Sequence, residues 1–199
     1  MPAIGITGGI ATGKTAFSRQ LRELLPDATF FDADGAAREL TDQDPEARSL
    51  IAETFGAHIY SAEGHLKRDE LRAIVFADPE KKLALEQILH PRIRRQWAAE
   101  AESRRHSTQL FLADIPLLYE TGGEALCDRV VVVACPPQLQ LERLMARSSL
   151  DRSAAAQMIA AQMPLQTKIS RADHLAWNNG TLAVLRQQAE ILAAFWRQQ

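Results

Sequence analysis

A chain of 199 residues can hold one ample hydrophobic core, or one core with an inserted subdomain, but not several independent domains. With 46% hydrophobic and 24% charged residues, its composition excludes a disordered tail, a collagen-like repeat and a coiled coil. Its 23 basic and 25 acidic residues leave a net charge of −2, so no bulk attraction draws it to nucleic acid or an anionic membrane, and its partners must be argued from sites.

Residues 3–7 form a short apolar run that predicts a buried strand. The N-terminus carries no positive charge ahead of this run and turns glycine-rich by Gly8, unlike a secretory signal. No stretch is apolar for the ~18 residues of a membrane span.

The next segment, Gly8-Gly9-Ile10-Ala11-Thr12-Gly13-Lys14-Thr15, fits G-x-x-x-x-G-K-[ST] in full, after a predicted strand and before a helix predicted over 15–25. A loop of this length wraps a phosphate with backbone N–H groups, and the following helix offers its positive end to the same anion. Lys14 then bridges β- and γ-phosphates, and the Thr15 hydroxyl is placed for Mg²⁺.

A second strand, 28–32, ends in Asp32-Ala33-Asp34, and ligands of parallel sheets sit at the carboxyl ends of strands. If the chain stays extended there, both carboxylates face one cleft, one as a general base and the other as a structural acceptor. They read equally as turn or helix-cap aspartates. Arg38, one turn along the helix predicted over 35–41, either orients Asp34 and an anionic acceptor or makes an ordinary surface ion pair.

Residues 45–105 read as a helical insertion, with helices over 45–55, 68–76, 80–89 and 92–104 and no confident strand. Basic residues cluster there at Lys67, Arg68, Arg72, Lys81, Lys82, Arg92, Arg94 and Arg95. A third strand, 110–114, ends in Asp114, a candidate metal-side carboxylate partnering the phosphate loop.

Four consecutive valines make the fourth strand, 130–134, and a weaker fifth covers 174–177. Helices are predicted over 138–147, 151–171 and from 182 to the C-terminus. Cys127 and Cys135 lack zinc-knuckle spacing and read as small buried hydrophobes, which suits a reducing cytoplasm. Strands alternating with helices imply a five-stranded parallel sheet with right-handed crossovers in an α/β fold.

Several segments together resemble the dephospho-CoA kinase family, in order and over nearly the whole chain. They are residues 6–15, Asp32-Ala33-Asp34 with Arg38, Leu89-His90-Pro91-Arg92-Ile93, and 114–120. The likeness continues through Gln140-Leu141-Glu142-Arg143-Leu144 with Arg147, Ala172-Asp173 and Asn178-Asn179-Gly180.

The resemblance implies a P-loop NTPase three-layer fold, with 1–44 and 106–199 as nucleotide-binding core, 45–105 as the helical CoA subdomain and 143–170 as a lid. It implies transfer of the ATP γ-phosphoryl to the ribose 3′-hydroxyl of dephospho-CoA, with Mg²⁺, by a cytoplasmic monomer or weak homo-oligomer that binds neither nucleic acid nor membrane. Residues 8–15 and Ala16 would hold ATP, with Thr15 and Asp114 on the metal. Asp34 would be the catalytic base, and Arg38, His90, Arg94, Pro116, Leu117 and Leu118 would meet the acceptor. Arg143 and Arg147 would act at the lid, Arg147 on the transferred phosphoryl, and Asn179 and Gly180 would lie against adenine.

Three positions depart from the family's pattern. Ala11 stands where glycine is common, which is tolerable if its φ is negative. Ser148 follows Arg147 in place of an aspartate, and Trp177 replaces an acidic residue. A nucleoside or nucleoside-monophosphate kinase would share the loop and the lid arginines, but the His90-Pro91 segment speaks against it. A GTPase switch would need N/T-K-x-D, and Thr167-Lys168-Ile169-Ser170 lacks the aspartate.

Overall fold

The computed structural model describes residues 3–104, 107 and 109–198. The chain divides into two compact units, Met1–Phe31 with Glu100–Gln199, and Asp32–Ala99. The second starts at Asp32, earlier than the insertion expected from residue 45, and the expected boundary at 105–106 lies outside the described residues.

The first unit is built on β1 (Ala3–Gly8), β2 (Thr29–Asp32), β3 (Phe111–Asp114), β4 (Arg129–Ala134) and β5 (His174–Trp177), in the sheet order β2-β3-β1-β4-β5. β1 lies parallel to both β3 and β4, with Ile6 opposite Asp114 and Gly8 opposite Val133, and β4 pairs in parallel with β5. Alternation along the strands decides the faces. Ile4, Ile6, Val131 and Val133 point toward α1 (Lys14–Leu24) and α9 (Leu182–Trp196), where they pack with Phe17, Leu21, Leu185, Ala189 and Trp196. Burying a side chain such as Phe17 contributes roughly 1.5–3 kcal/mol. The next residue along β1, Gly5, faces the opposite way, toward Leu118 and Cys127.

Aspartates close the amino ends of the strands. Asp128 accepts from the Ala3 N–H at 2.7 Å, and Asp173 from the Val130 N–H at 2.8 Å. β5 is an edge strand, and Gln188 of α9 covers part of that edge by bonding both the N–H and the carbonyl of Trp177.

The second unit comprises α2 (Ala33–Gln43), α3 (Pro45–Phe55), α4 (Arg68–Ala77) and most of α5 (Pro79–Ser103), around Leu40, Ile51, Phe55, Ile59, Leu71 and Ile88. α5 runs unbroken through Pro91, where the sequence predicts two helices. Proline removes one N–H from the ladder, and the Arg92 guanidinium donates to the neighbouring Ile88 carbonyl at 2.9 Å. The opposite correction applies after α6 (Pro137–Ser148). The single helix expected over 151–171 is two, α7 (Arg152–Ala160) and α8 (Leu165–Ser170), because Pro164 disfavours helical backbone at the residue before it. Among the described residues, no helix is long and apolar enough to cross a membrane.

Candidate active site

The G-x-x-x-x-G-K-T segment runs from the last residue of β1 into the first turn of α1. Gly13 is the N-cap of α1 at φ 99°, with no side chain capping the helix and no acidic residue in its first turn. The N–H groups of Lys14, Thr15 and Ala16 are therefore offered to an anion. Glycine is required at position 13 for a second reason: the Asn178 side chain fills the space a Cβ would take. Asn178 is buried and donates through Nδ2 to the Thr12 carbonyl at 2.9 Å.

The tip of the loop is held by two side-chain amides. Gln140 Nε2 donates to the Ile10 carbonyl at 2.8 Å, and the Ile10 N–H donates to Gln162 Oε1 at 2.9 Å. Gln140 Nε2 is only 2.6 Å from where a Cβ on Gly9 would sit, so a side chain there would displace the amide that holds Ile10. Buried Thr12 closes the turn on the Gly9 carbonyl through both its N–H and its hydroxyl.

Ala11 corrects an expectation. Its φ is +60°, not negative, so a residue with a Cβ occupies the left-handed region that the loop imposes.

Lys14 forms an ion pair with Asp114, and both side chains are mostly buried. Thr15 is exposed beside it on the first turn of α1. The donors available to a metal here are a carboxylate and a hydroxyl, hard oxygens of the kind Mg²⁺ takes. Mg²⁺ keeps several waters and binds substrate phosphates, so two protein oxygens suffice for it.

Beyond Asp114 the chain turns sharply. The Pro116 carbonyl accepts from the buried Thr7 hydroxyl at 3.0 Å, and Pro116 and Leu117 are half-buried. Leu118, expected to line a ligand pocket, is fully buried instead and fills the space left by Gly5. It contributes packing, and only Pro116 and Leu117 of this trio keep accessible surface.

On the far side of the loop, Arg143 of α6 donates to the Asn178 carbonyl at 3.0 Å. Arg147, one turn further on, is exposed in the last turn of α6, and Asn179 and Gly180 are exposed after β5. The first unit thus gathers the loop, Asp114, Pro116, Leu117 and the anchored Arg143.

In the second unit, the extended geometry expected for Asp32-Ala33-Asp34 is not found. β2 ends at Asp32, which is the N-cap of α2 and accepts from the Asp34 N–H at 3.0 Å, so the two side chains leave the chain from different elements. Asp34 and Arg38 are both exposed on α2, four residues apart. His90 is half-buried in α5, and Arg94 and Arg95 are exposed on it. Within the unit Arg68 pairs with Asp42 at 2.6 Å, Arg72 with Asp69 at 3.0 Å and Arg92 with Glu46 at 3.0 Å. Lys81 donates to the Thr54 carbonyl at 2.8 Å.

The thiols do not enter the chemistry. Burial pushes Cys127 up to about 12, with Asp128 adding to the rise, and burial raises Cys135 as well. Neither supplies a thiolate near neutral pH.

Sequence reading passed over Gln140, Gln162, Lys168 and Asn178 as parts of the loop's surroundings. Asn178 stood inside a recognised segment, but its neighbours Asn179 and Gly180 drew the assignment. Gln140 also stood inside a recognised segment, where Arg143 drew the assignment; Lys168 stood only in the string compared with a GTPase motif, and Gln162 in none.

A parallel sheet of this order, with a phosphate loop leaving its central strand and an aspartate ending the neighbouring one, defines a P-loop kinase. The dephospho-CoA kinase family model matches residues 2–183. The chain is 40% identical over 195 residues to a dephospho-CoA kinase of Bacillus cereus, with 97% of this chain and 96% of that protein covered. It is 43% identical over 197 residues to one from Anaeromyxobacter dehalogenans, covering 98% and 92%. Among solved structures, dephospho-CoA kinase from Campylobacter jejuni superposes with a TM-score of 0.72 at 26% identity, over 100% of this chain and 98% of that one. The chain belongs to the dephospho-CoA kinase family.

Proposed function

We propose that this protein transfers the γ-phosphoryl group of ATP to the 3′-hydroxyl of the ribose of dephospho-CoA, the final step of coenzyme A synthesis. The observation that carries the reading is the phosphate loop, held at Ile10 and Thr12 by groups from three other parts of the chain, in a member of this family.

In the transfer, the acceptor oxygen forms a bond to the γ-phosphorus as the bond from that phosphorus to the β–γ bridging oxygen breaks. ADP leaves, and the acceptor's proton passes to the Asp34 carboxylate. Arg38, one turn along α2, orients that carboxylate or the acceptor. Lys14 turns from Asp114 to the β- and γ-phosphates, and the α1 amides of Lys14, Thr15 and Ala16 hold the β-phosphate.

Mg²⁺ would be held by the Thr15 hydroxyl and the Asp114 carboxylate, and would supply charge neutralisation to the transferred phosphates. Arg147 reaches the equatorial oxygens, where charge spreads in the transition state. Arg143 holds the nucleotide side together with Asn179 and Gly180 against adenine. Residues 143–170 act as the lid that excludes water.

Pro116 and Leu117, with His90 and Arg94 of the helical subdomain, meet the acceptor. Its pyrophosphate is matched to the basic residues of this subdomain, among them Arg94 and Arg95, both exposed on α5. Both ligands are small molecules, and the protein acts in the cytoplasm as a monomer or weak homo-oligomer.

The test is ADP formation from Mg·ATP with dephospho-CoA or with a panel of nucleosides and nucleoside monophosphates as acceptor. Stimulation by dephospho-CoA alone, with CoA as product, is expected. Stimulation by the nucleotides instead would leave the P-loop kinase class standing and remove the acceptor assignment.

A further inference from the structure

Lys168 is fully buried, and its ammonium meets three acceptors: the Gly8 carbonyl at 3.3 Å, the Pro116 carbonyl at 3.2 Å and Glu120 Oε1 at 2.8 Å. An ammonium has three N–H donors, so the set is complete. A buried cation is costly, and a well-packed apolar replacement for a buried ion pair is often as stable or more so. Stability is therefore a poor explanation for this lysine, and its partners suggest a better one.

Gly8 opens the phosphate loop, and Pro116 belongs to the turn that the proposed function gives to the acceptor. Lys168 bonds both backbones at once, and the Thr7 hydroxyl fixes the same Pro116 carbonyl from β1. The far end of the link reaches the lid. Glu120 Oε1 also accepts from the Met163 N–H at 3.0 Å, and neighbouring Gln162 takes the N–H of Ile10 at the loop tip. The segment joining α7 to α8, together with Lys168 of α8, is thereby tied to the start and the tip of the phosphate loop and to the acceptor turn.

We propose that Lys168 is a positioning residue for phosphoryl transfer: it sets the separation between the loop that cradles the donor's phosphates and the Pro116 turn that meets the acceptor. Each backbone can bind its own ligand without it, but the two ligands then sit at the wrong mutual distance. In-line transfer is steep in that distance, and a displacement of about 1 Å costs on the order of a hundredfold in rate. The loss should therefore fall on kcat rather than on either KM.

This inference rests on the proposed function, and its test separates the two. The variant is Lys168→Met with Glu120→Gln, which keeps the packing and leaves no carboxylate without its cation. Steady-state kinetics in both substrates, with Tm measured alongside, should show kcat lower by about tenfold to a hundredfold and each KM within about threefold of wild type. Lys168→Gln, which retains two of the three donors, should show the same split at smaller amplitude and serves if the double variant does not fold. A kcat within about threefold of wild type overturns the inference, as does a loss carried equally by the KM values. Wild-type protein that makes no CoA refutes the proposed function; wild-type protein that makes CoA, with the variant equally fast, refutes only the role of Lys168.

Discussion

Asn178 Nδ2 donates to the Thr12 carbonyl and occupies the space that a side chain on Gly13 would enter. One amide thus props the phosphate loop from beneath and forbids any other residue at its second glycine. Asn178→Ala leaves the buried Thr12 carbonyl without its partner, at a cost of about 1–3 kcal/mol. ATP affinity should fall about tenfold by calorimetry. Gly13→Ala should abolish ATP binding, since it adds a clash to a φ of 99°. The pair Gly13→Ala/Asn178→Ala removes the clash and keeps the strain, so it should recover only part of the affinity. Full recovery would show that backbone conformation is unimportant at this position.

Ala11 sits at φ +60° in the same loop. A left-handed conformation costs a residue with a Cβ roughly 1–2 kcal/mol, against roughly 0.5–1 kcal/mol of extra chain entropy for glycine. Ala11→Gly should stabilise the protein by about 1 kcal/mol in urea unfolding. An unchanged or lower stability would mean that the loop relaxes around alanine without strain.

How far these features could be read from the chain depends on how local their causes are. The strands and the phosphate loop are written in short runs, and residues 130–134 could hardly be anything but a buried strand. Helix ends depend on side chains that the pattern does not rank. Asp32 takes the N-cap of α2, so the chain turns helical two residues before the predicted start. α5 passes through Pro91, while the helical run ahead of Pro164 stops at Ala160. The props of the site were hardest to see. Asn178, Gln140, Gln162 and Lys168 each lie more than 100 positions from the loop atoms they bond, and an amide or a buried lysine carries no spacing that announces its partner.

The two lid arginines should separate kinetically. Arg143 is anchored on the Asn178 carbonyl, whereas Arg147 is exposed one turn further along α6. Arg147→Ala should lower kcat by about a hundredfold or more, with ATP affinity within about threefold, because in the proposed transfer its charge acts on the transition state. Arg143→Ala should weaken ATP binding as well, since it loosens the support under Thr12. Equal ground-state losses in both variants would remove the distinction.

Asp34 carries the proton in the proposed transfer, and Asp34→Asn keeps its size while removing its basicity. Turnover should fall by about two to four orders of magnitude, the usual contribution of a positioned general base. Differential scanning should find Tm lowered by no more than about 4 °C, because the N-cap that starts α2 is Asp32 and Asp34 adds only a first-turn charge to it. Near-normal turnover would exclude Asp34 as the base. A large fall in Tm would assign it a structural role.

His174 gives the fold a specific acid sensitivity. Its ring packs against Phe195 at 5.5 Å and Trp196 at 5.8 Å between centroids, and its Nε2 is buried without a partner. Burial holds its pKa below the usual histidine value of 6.5; Asp173 opposes the shift and Arg129 adds to it. Since the unfolded state binds the proton more readily, this group's contribution is fully present above about pH 6.5 and is lost as pH falls toward the lowered value. Carboxylates elsewhere also titrate on acidification, so the measurement is a comparison of Tm against pH for wild type and His174→Leu between pH 7.5 and 5. The wild-type curve should fall more steeply below pH 6.5, and the leucine variant should be the more stable at the acid end. Parallel curves would show that His174 takes up its proton in the folded state as easily as in the unfolded one.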